Sequence, residues 1–138
     1  MGSNAKFPLQ AQFLSLTSKA HQDFYVDYRI RNSMQRNYYT VRNNKIYLTF
    51  SCPVFDHIGE ANPEAYAIKH KESSVRIAKD IAMYNGVIED YSLSSIDNPN
   101  GYTPKNIIST GELYVYFIFD SSDMKYKTPM QSPTEDEN

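Results

Sequence analysis

Apolar and polar residues alternate in three consecutive segments, DFYVDYRIR (23–31), YYTVR (38–42) and KIYLTF (45–50). A period of two is typical of strands that bury one face. The apolar positions, which we expect to lie on one shared buried face, are Phe24, Val26, Tyr28, Ile30, Tyr39, Val41, Ile46, Leu48 and Phe50. The pattern therefore predicts three strands of one sheet.

The two asparagines at 43–44 separate the second segment from the third. Asparagine tolerates the positive φ that a type I′ turn requires, so this pair predicts a two-residue hairpin loop. Such a loop places Val41 opposite Ile46 and Tyr39 opposite Leu48. A slip of one residue would destroy every apolar match, so the pattern specifies the register.

The first two segments are separated by a longer polar stretch. A four-residue loop at 33–36, SMQR, pairs Ile30 with Tyr39 and Tyr28 with Val41. The three segments then form one antiparallel meander whose apolar positions all face the same side.

Two further segments have helical spacing. Residues 10–20 carry Phe13 and neighbouring apolar residues within little more than one turn, which indicates a short helix, with a strand as the alternative. Apolar residues at 75, 78, 81 and 82 predict a helix over 73–84, and Gly86 follows as a stop signal. Whether 63–72 joins this helix is left open, although Asn62 and Pro63 resemble a helix start.

Two late segments alternate again, VIEDYSL (87–93) and ELYVYFIFD (112–120). The second is apolar on both faces. One face carries Tyr114, Tyr116 and Ile118, and the other carries Leu113, Val115, Phe117 and Phe119. Such a strand is central in a sheet, or has its second face covered by a helix or a partner.

These elements predict an α+β two-layer sandwich with the order α-β-β-β-α-β-β, in which helices cover one face of a mostly antiparallel sheet of about five strands. We expect residues 1–6 to be a tag or disordered start, 7–127 to be a single domain and 128–138 to be an acidic disordered tail. The predicted core comprises Phe24, Val26, Ile30, Val41, Ile46, Leu48, Phe50, Val75, Ile81, Val115, Phe117 and Phe119.

Composition narrows the possible functions. The 138 residues are 41% hydrophobic and carry a net charge of -2, which argues against a uniformly basic nucleic-acid binder. No apolar run approaches the roughly 20 residues needed to span a bilayer. The single cysteine, Cys52, excludes an internal disulfide and a cysteine-based zinc knuckle.

Candidate catalytic groups are few. Cys52 and His57 could act as nucleophile and base, but they flank a proline and lack an evident third group. Asp56, His57 and Glu60 could ligate a metal, yet their spacing matches no known site. The five glycines form no phosphate-binding loop. We therefore expect no enzymatic activity, no cofactor and no metal.

The face of the meander opposite the predicted core interleaves basic and aromatic residues. Its candidate interaction residues are Tyr25, Arg29, Arg31, Tyr38, Arg42, Lys45 and Tyr47. Such a face can hold single-stranded nucleic acid or another polyanion, with charges on phosphates and rings on bases. It can also dock an acidic patch of a protein. Tyr114 and Tyr116 of the last strand are candidate interaction residues as well.

Two resemblances add expectations. DNPNGYT (97–103) is similar to the N-P-x-G motif of VirB8-like conjugation proteins. The order of elements from Phe13 to Asp120 resembles that of bacteriophage tail-terminator and tail-completion proteins, which implies a non-enzymatic subunit that self-associates. The sequence thus favours an assembly or protein–protein interaction subunit, of a phage tail-like or a secretion or conjugation apparatus. Binding of single-stranded nucleic acid is the alternative.

Overall fold

The chain folds as an antiparallel meander in the computed structural model, which describes residues 11–58, 60–89, 91, 104 and 106–129. The described residues form eight strands that are hydrogen-bonded in sequence order. The strands are β1 (Ala11–Leu14), β2 (Gln22–Ile30), β3 (Ser33–Arg42), β4 (Lys45–Asp56), β5 (Glu64–Lys71), β6 (Asp80–Ile88), β7 (Ile107–Asp120) and β8 (Lys125–Lys127). The predicted α+β class with five strands is therefore wrong, since these ranges contain no helix.

The sheet folds back on itself at the junction of β4 and β5. These two strands pair only through Phe55 with Ala65 and Asp56 with Glu64, after which they diverge. The inner faces of β1–β4 and β5–β8 then share one core, where the Phe50 and Phe117 rings lie 4.4 Å apart. Its buried members are Leu16, Tyr38, Cys52, Ala78, Ile81, Met83, Phe119 and Tyr126.

The predicted hairpin between β3 and β4 is confirmed. Asn43 and Asn44 have φ values of 53° and 64°, the left-handed conformation that asparagine tolerates. Val41 pairs with Ile46, and Tyr39 pairs with Leu48. Local turn chemistry and apolar matching were sufficient here because both act within a dozen residues.

The predicted loop between β2 and β3 is wrong. The turn is formed by Arg31 and Asn32, so Ile30 pairs with Ser33 and Phe24 pairs with Tyr39. Arg31 takes a positive φ of 54°, which arginine rarely adopts and which the sequence pattern did not indicate. The tighter loop lengthens the ladder between β2 and β3 to nine residue pairs.

The two predicted helices are also wrong. Residues 10–20 contain the short strand β1, followed by an irregular segment that inserts Leu16 into the core. Residues 72–79 are irregular, and β6 begins at Asp80. In β6, Ile81, Ala82 and Met83 are all at most 2% exposed, because both faces of this strand are covered. Apolar residues on both faces erase the period of two and imitate helical spacing.

The open question at 63–72 is resolved as strand β5, Glu64–Lys71. The strand expected at 87–93 is confirmed only in part, since β6 ends at Ile88 and 92–93 lie outside the described residues. Residues 112–120 fall within β7, as predicted. Segments 1–6 and 97–103, and the tail from residue 130, also lie outside the described residues.

The predicted core is right for Phe50 and for the residues of β6 and β7, and it is wrong for Val75 and for the other residues of the meander. Ile81 and Phe119 are buried, and Phe50, Val115 and Phe117 pack against the core. By contrast, the meander turns its predicted inner face outward. The misplaced core residues are Ile30, Ile46, Leu48 and Val75, which are exposed by 51%, 62%, 40% and 76%, and the half-buried Phe24, Val26 and Val41.

Truncation of Phe117 tests whether β7 belongs to the core. We expect Phe117→Ala to lower the free energy of unfolding by about 3 kcal/mol, because the ring packs on Phe50 and its loss leaves a cavity. Leu113→Ala on the same strand, at an exposed position, should cost less than about 1 kcal/mol. Urea unfolding of both variants measures the difference, and equal losses would place Phe117 outside the core.

Candidate functional site

An apolar surface lies on the outer side of β1–β4, and we call it the outer apolar face. Alternation and register place nine side chains there: Phe13, Phe24, Val26, Tyr28, Ile30, Tyr39, Val41, Ile46 and Leu48. Phe13 is the most exposed of them, at 64%. Single exposed apolar residues are ordinary, but a contiguous set on one sheet face marks an interaction surface.

Aromatic rings form a row across the strands of this face. The ring centroids of Phe13 and Phe24 lie 5.6 Å apart, and those of Phe24 and Tyr39 lie 5.1 Å apart in a stacked arrangement. Leu48 continues the row on β4 as the partner of Tyr39. These cross-strand contacts fix the rings, so the surface is ordered before any partner binds.

The predicted basic and aromatic residues do share a face, but it is the inner one. Tyr38 is fully buried, whereas Tyr25, Arg29, Arg42 and Tyr47 are half-buried. The exposed Lys45 is the first residue of β4, next to the β3–β4 turn, and the exposed Arg31 lies in the β2–β3 turn. The structure therefore brings five of these seven residues into or beside the interior rather than onto a binding surface.

The inner face can contain charged residues because they pair with one another. Arg36 donates two hydrogen bonds to the carboxylate of Asp27, at 2.7 and 3.1 Å, and its guanidinium lies 3.9 Å from the centre of the Tyr25 ring. Burial opposes the charge on Arg36, but the hydrogen bonds to Asp27 outweigh it and raise the pKa of the guanidinium. Two-point pairing and ring stacking satisfy this cation inside the fold.

Tyr38 connects this pair to the other half of the sheet. Arg36 donates to the Tyr38 hydroxyl at 3.3 Å, and that hydroxyl lies 2.7 Å from Nε2 of His70 on β5. Burial, then the nearby Arg36 and Lys79, lower the pKa of His70 to about 4. His70 is thus neutral at pH 7. Because the Tyr38 hydroxyl accepts from Arg36, we assign Nε2 of His70 as the acceptor of the hydrogen bond from that hydroxyl.

A second polar anchor holds the segment after β1. The buried carboxylate of Asp23 accepts hydrogen bonds from the backbone N–H groups of Leu16 and Thr17, at 2.8 and 2.7 Å. The carbonyl of Leu16 in turn accepts from the backbone of Lys79 at 2.8 Å. Asp23 therefore positions the chain where the two halves of the sheet meet.

The nucleophile proposed from the sequence is inaccessible. Cys52 is 2% exposed within the core, and burial raises the pKa of its thiol to about 12. A protonated, buried thiol is inert as a nucleophile. His57 lies instead at the exposed end of β4, near acidic side chains.

Asp56, His57 and Glu64 form a small cluster whose potential ligand atoms lie within 4.8 Å of one another. The sequence suggested Glu60 as the third member, whereas cross-strand pairing supplies Glu64. All three side chains are substantially exposed, by 38% to 56%. We assign no metal to this group, because exposed carboxylates commonly gather without a cation.

An open cavity of about 340 Å³ lies where β4 and β5 diverge. Asp27 and Arg36 form its polar wall, and Phe55, Tyr66 and Ile68 contribute to the rest. Because Asp27 and Arg36 bind each other at two points, their charges are already satisfied. The polar wall of this cavity therefore stabilises the fold and offers no unpaired charge to a ligand.

The two candidate tyrosines of β7 differ in their surroundings. Tyr114 is 57% exposed, and its ring lies 4.9 Å from that of Tyr66. The Tyr116 hydroxyl donates to the buried carboxylate of Asp80, which also accepts from Arg76. Tyr116 is therefore already bonded within the fold, whereas Tyr114 is accessible.

Sequence reasoning missed Asp27, Arg36 and His70, which act through contacts between strands, the first two across the β2–β3 hairpin and His70 across to β5. The Arg36–Asp27 bond spans nine residues, and the Tyr38–His70 bond spans 32. A usable signal was the presence of both acidic and basic residues on the face assumed to be solvated, since opposite charges there can pair inward. Phe13 was noted only as part of a predicted helix.

Comparison with known protein families, curated proteins and solved structures finds no match to this chain. Among the residues that the structure describes, no helix is long and apolar enough to cross a membrane. The element order that supported the tail-protein resemblance included two helices, which the fold replaces by strands and irregular segments. The resemblance itself stays a prediction.

The partly buried His70 predicts a specific dependence of stability on pH. Its folded-state pKa of about 4 lies below the unfolded value near 6.5, so the unfolded chain binds the proton first as the pH falls. The stability that neutral His70 supports is complete above about pH 6.5 and is lost towards pH 4, by about 3 kcal/mol.

His70→Gln retains an acceptor for Tyr38 but cannot titrate. We expect the difference in unfolding free energy between the wild type and His70→Gln to shift by about 3 kcal/mol between pH 7 and pH 4, in favour of the variant. Urea unfolding at several pH values measures it, and the carboxylates that titrate in both proteins cancel in the comparison. Parallel pH profiles would contradict a buried neutral histidine.

Proposed function

We propose that this chain is a non-catalytic assembly subunit that binds a protein partner through the outer apolar face. The observation that supports this proposal is the contiguous row Phe13, Phe24, Tyr39 and Leu48, in which ring contacts hold the half-buried Phe24 and Tyr39 between the exposed Phe13 and Leu48. Ordered aromatic and aliphatic side chains lose little conformational entropy on binding, so they suit a specific interface.

The chemistry of the surface favours a protein as the partner. Tyr28 and Tyr39 combine an apolar ring with a hydroxyl, and Asn37 already donates a hydrogen bond to Tyr39 at 3.1 Å. Interfaces between proteins are enriched in such side chains at their centre and are polar at the rim. The larger machine, whether a phage tail-like or a secretion or conjugation apparatus, is a prediction that rests on the sequence resemblances.

Binding of single-stranded nucleic acid is the weaker proposal. It needs tyrosine rings that bases can reach, yet Tyr38 is fully buried and Tyr25 is covered by Arg36. Lys45 and Arg31 are exposed but lie at different turns of the meander. An oligonucleotide titration at low salt, where electrostatic association is strongest, tests this alternative.

Polar substitution on β4 tests the proposed function. Ile46→Ser combined with Leu48→Ser should change the unfolding free energy by less than about 1 kcal/mol, because both side chains are substantially exposed. The same double variant should lose most of the association that the wild type shows. Light scattering measures self-association, and affinity capture with purified baits measures binding of other proteins.

Leu113→Ser is the matched control, because Leu113 is 49% exposed but lies on β7, away from the outer apolar face. Proteins captured by the wild type and by Leu113→Ser, but lost with the double variant, would bind this face specifically. If the double variant matches the wild type in both capture and self-association, the outer apolar face is not the interface.

A further inference from the structure

The two edges of the sheet differ in how they are protected. β1 and β8 are the terminal strands, so each has one side without a partner among the described strands. β8 carries Lys125 and Lys127 on either side of Tyr126, and lysines at an edge discourage pairing with another chain. β1 reads AQFL and has neither a charge nor a proline. Of these two terminal strands, only β1 therefore lacks protection by charge. The flank of β4 that diverges from β5 is a third open edge, and there Lys125 donates a hydrogen bond to the Leu48 carbonyl.

The aromatic row ends at this unprotected edge. Phe13 is its last ring, 5.6 Å from Phe24 and 64% exposed. A strand added beside β1 would continue the row if it placed an apolar side chain opposite Phe13. The added strand would also cover the open backbone groups of β1.

We propose that a second copy of this chain occupies the β1 edge, with the two β1 strands paired antiparallel about a two-fold axis and Phe13 facing Phe13 of the partner. An antiparallel strand paired with its own copy is self-complementary, and an uncharged strand does so without like-charge repulsion. The same operation at β8 would bring lysines together. A net charge of only -2 per copy adds little repulsion between the two molecules.

This inference rests on the proposed assembly function and specifies how two copies would be arranged. It joins two meanders into one continuous sheet whose outer apolar faces lie on the same side. The joined face is twice as wide and stays open to further partners, as expected of a subunit that builds a larger structure.

A cysteine at position 13 tests the register directly. Facing residues of an antiparallel pair have Cα atoms about 4.5–5.5 Å apart, within the range that a disulfide spans. Phe13→Cys should therefore form a covalent dimer under mild oxidation, and dithiothreitol should reverse it. Cys52 is 2% exposed and should give no background.

Ile46→Cys is the matched control, because Ile46 is 62% exposed on the same face but lies three strands from the edge. It should stay monomeric on a non-reducing gel at the same protein concentration. Equal cross-linking of both variants would indicate face-to-face association and overturn the edge pairing.

Charge at the edge provides a second test that needs no oxidation. Phe13→Lys places two cations opposite each other and should weaken dimerisation at least tenfold, measured by light scattering over a range of concentrations. Leu113→Lys, on β7, should dimerise like the wild type. A wild type that stays at 15.9 kDa throughout would overturn the second copy as occupant. Loss of protein capture by the β4 double variant would still support the proposed function in that case.

Discussion

The pairing of Arg36 with Asp27 allows the polar side of the meander to face the core. A buried cation is tolerated only when it is paired and hydrogen-bonded, and here a two-point carboxylate contact and the ring of Tyr25 supply both conditions. Tyr38 and His70 extend the network to β5. Because these polar groups satisfy one another, β2 and β3 can turn their polar face inward.

The exposed apolar surface follows directly from that choice. Side chains alternate along a strand, so a meander that buries Tyr25, Arg36 and Tyr38 must present Phe24 and Tyr39 on the other side. The chain thus retains one half-polar core and one apolar outer face. The proposed interaction function would account for such a surface, since burial by a partner removes from water the apolar area that folding leaves exposed.

The two terminal strands of the sheet differ in how readily another strand could pair with them. Lysines protect β8, whereas β1 has an uncharged edge at which the aromatic row stops. Association through β1 would extend the sheet, and association through the outer apolar face would stack it. The two modes use different surfaces of one subunit, so a single chain can form both kinds of contact in a larger assembly.

Prediction from the sequence succeeded where the deciding interactions are local. The turn at Asn43 and Asn44 and the pairing of Val41 with Ile46 depend on residues a few positions apart. It failed for residues 73–84, because Ile81, Ala82 and Met83 are buried on both faces of β6 and so lose the strand period. Five of the seven candidate residues of the meander do share a face, but it is the inner one, and Arg31 lies in the β2–β3 turn.

The sequence by itself determined the alternation of β2–β4, the β3–β4 hairpin and the shared face of the basic and aromatic residues. Only the tertiary structure decided which face is inside. The Tyr38–His70 contact joins the two halves of the sheet, whereas Asp27 and Arg36 pair across the adjacent strands β2 and β3. A periodic pattern shows that the two faces of a strand differ. Which face is buried depends on packing against strands far away in the sequence, such as the contacts of Tyr38 with His70 and of Phe50 with Phe117.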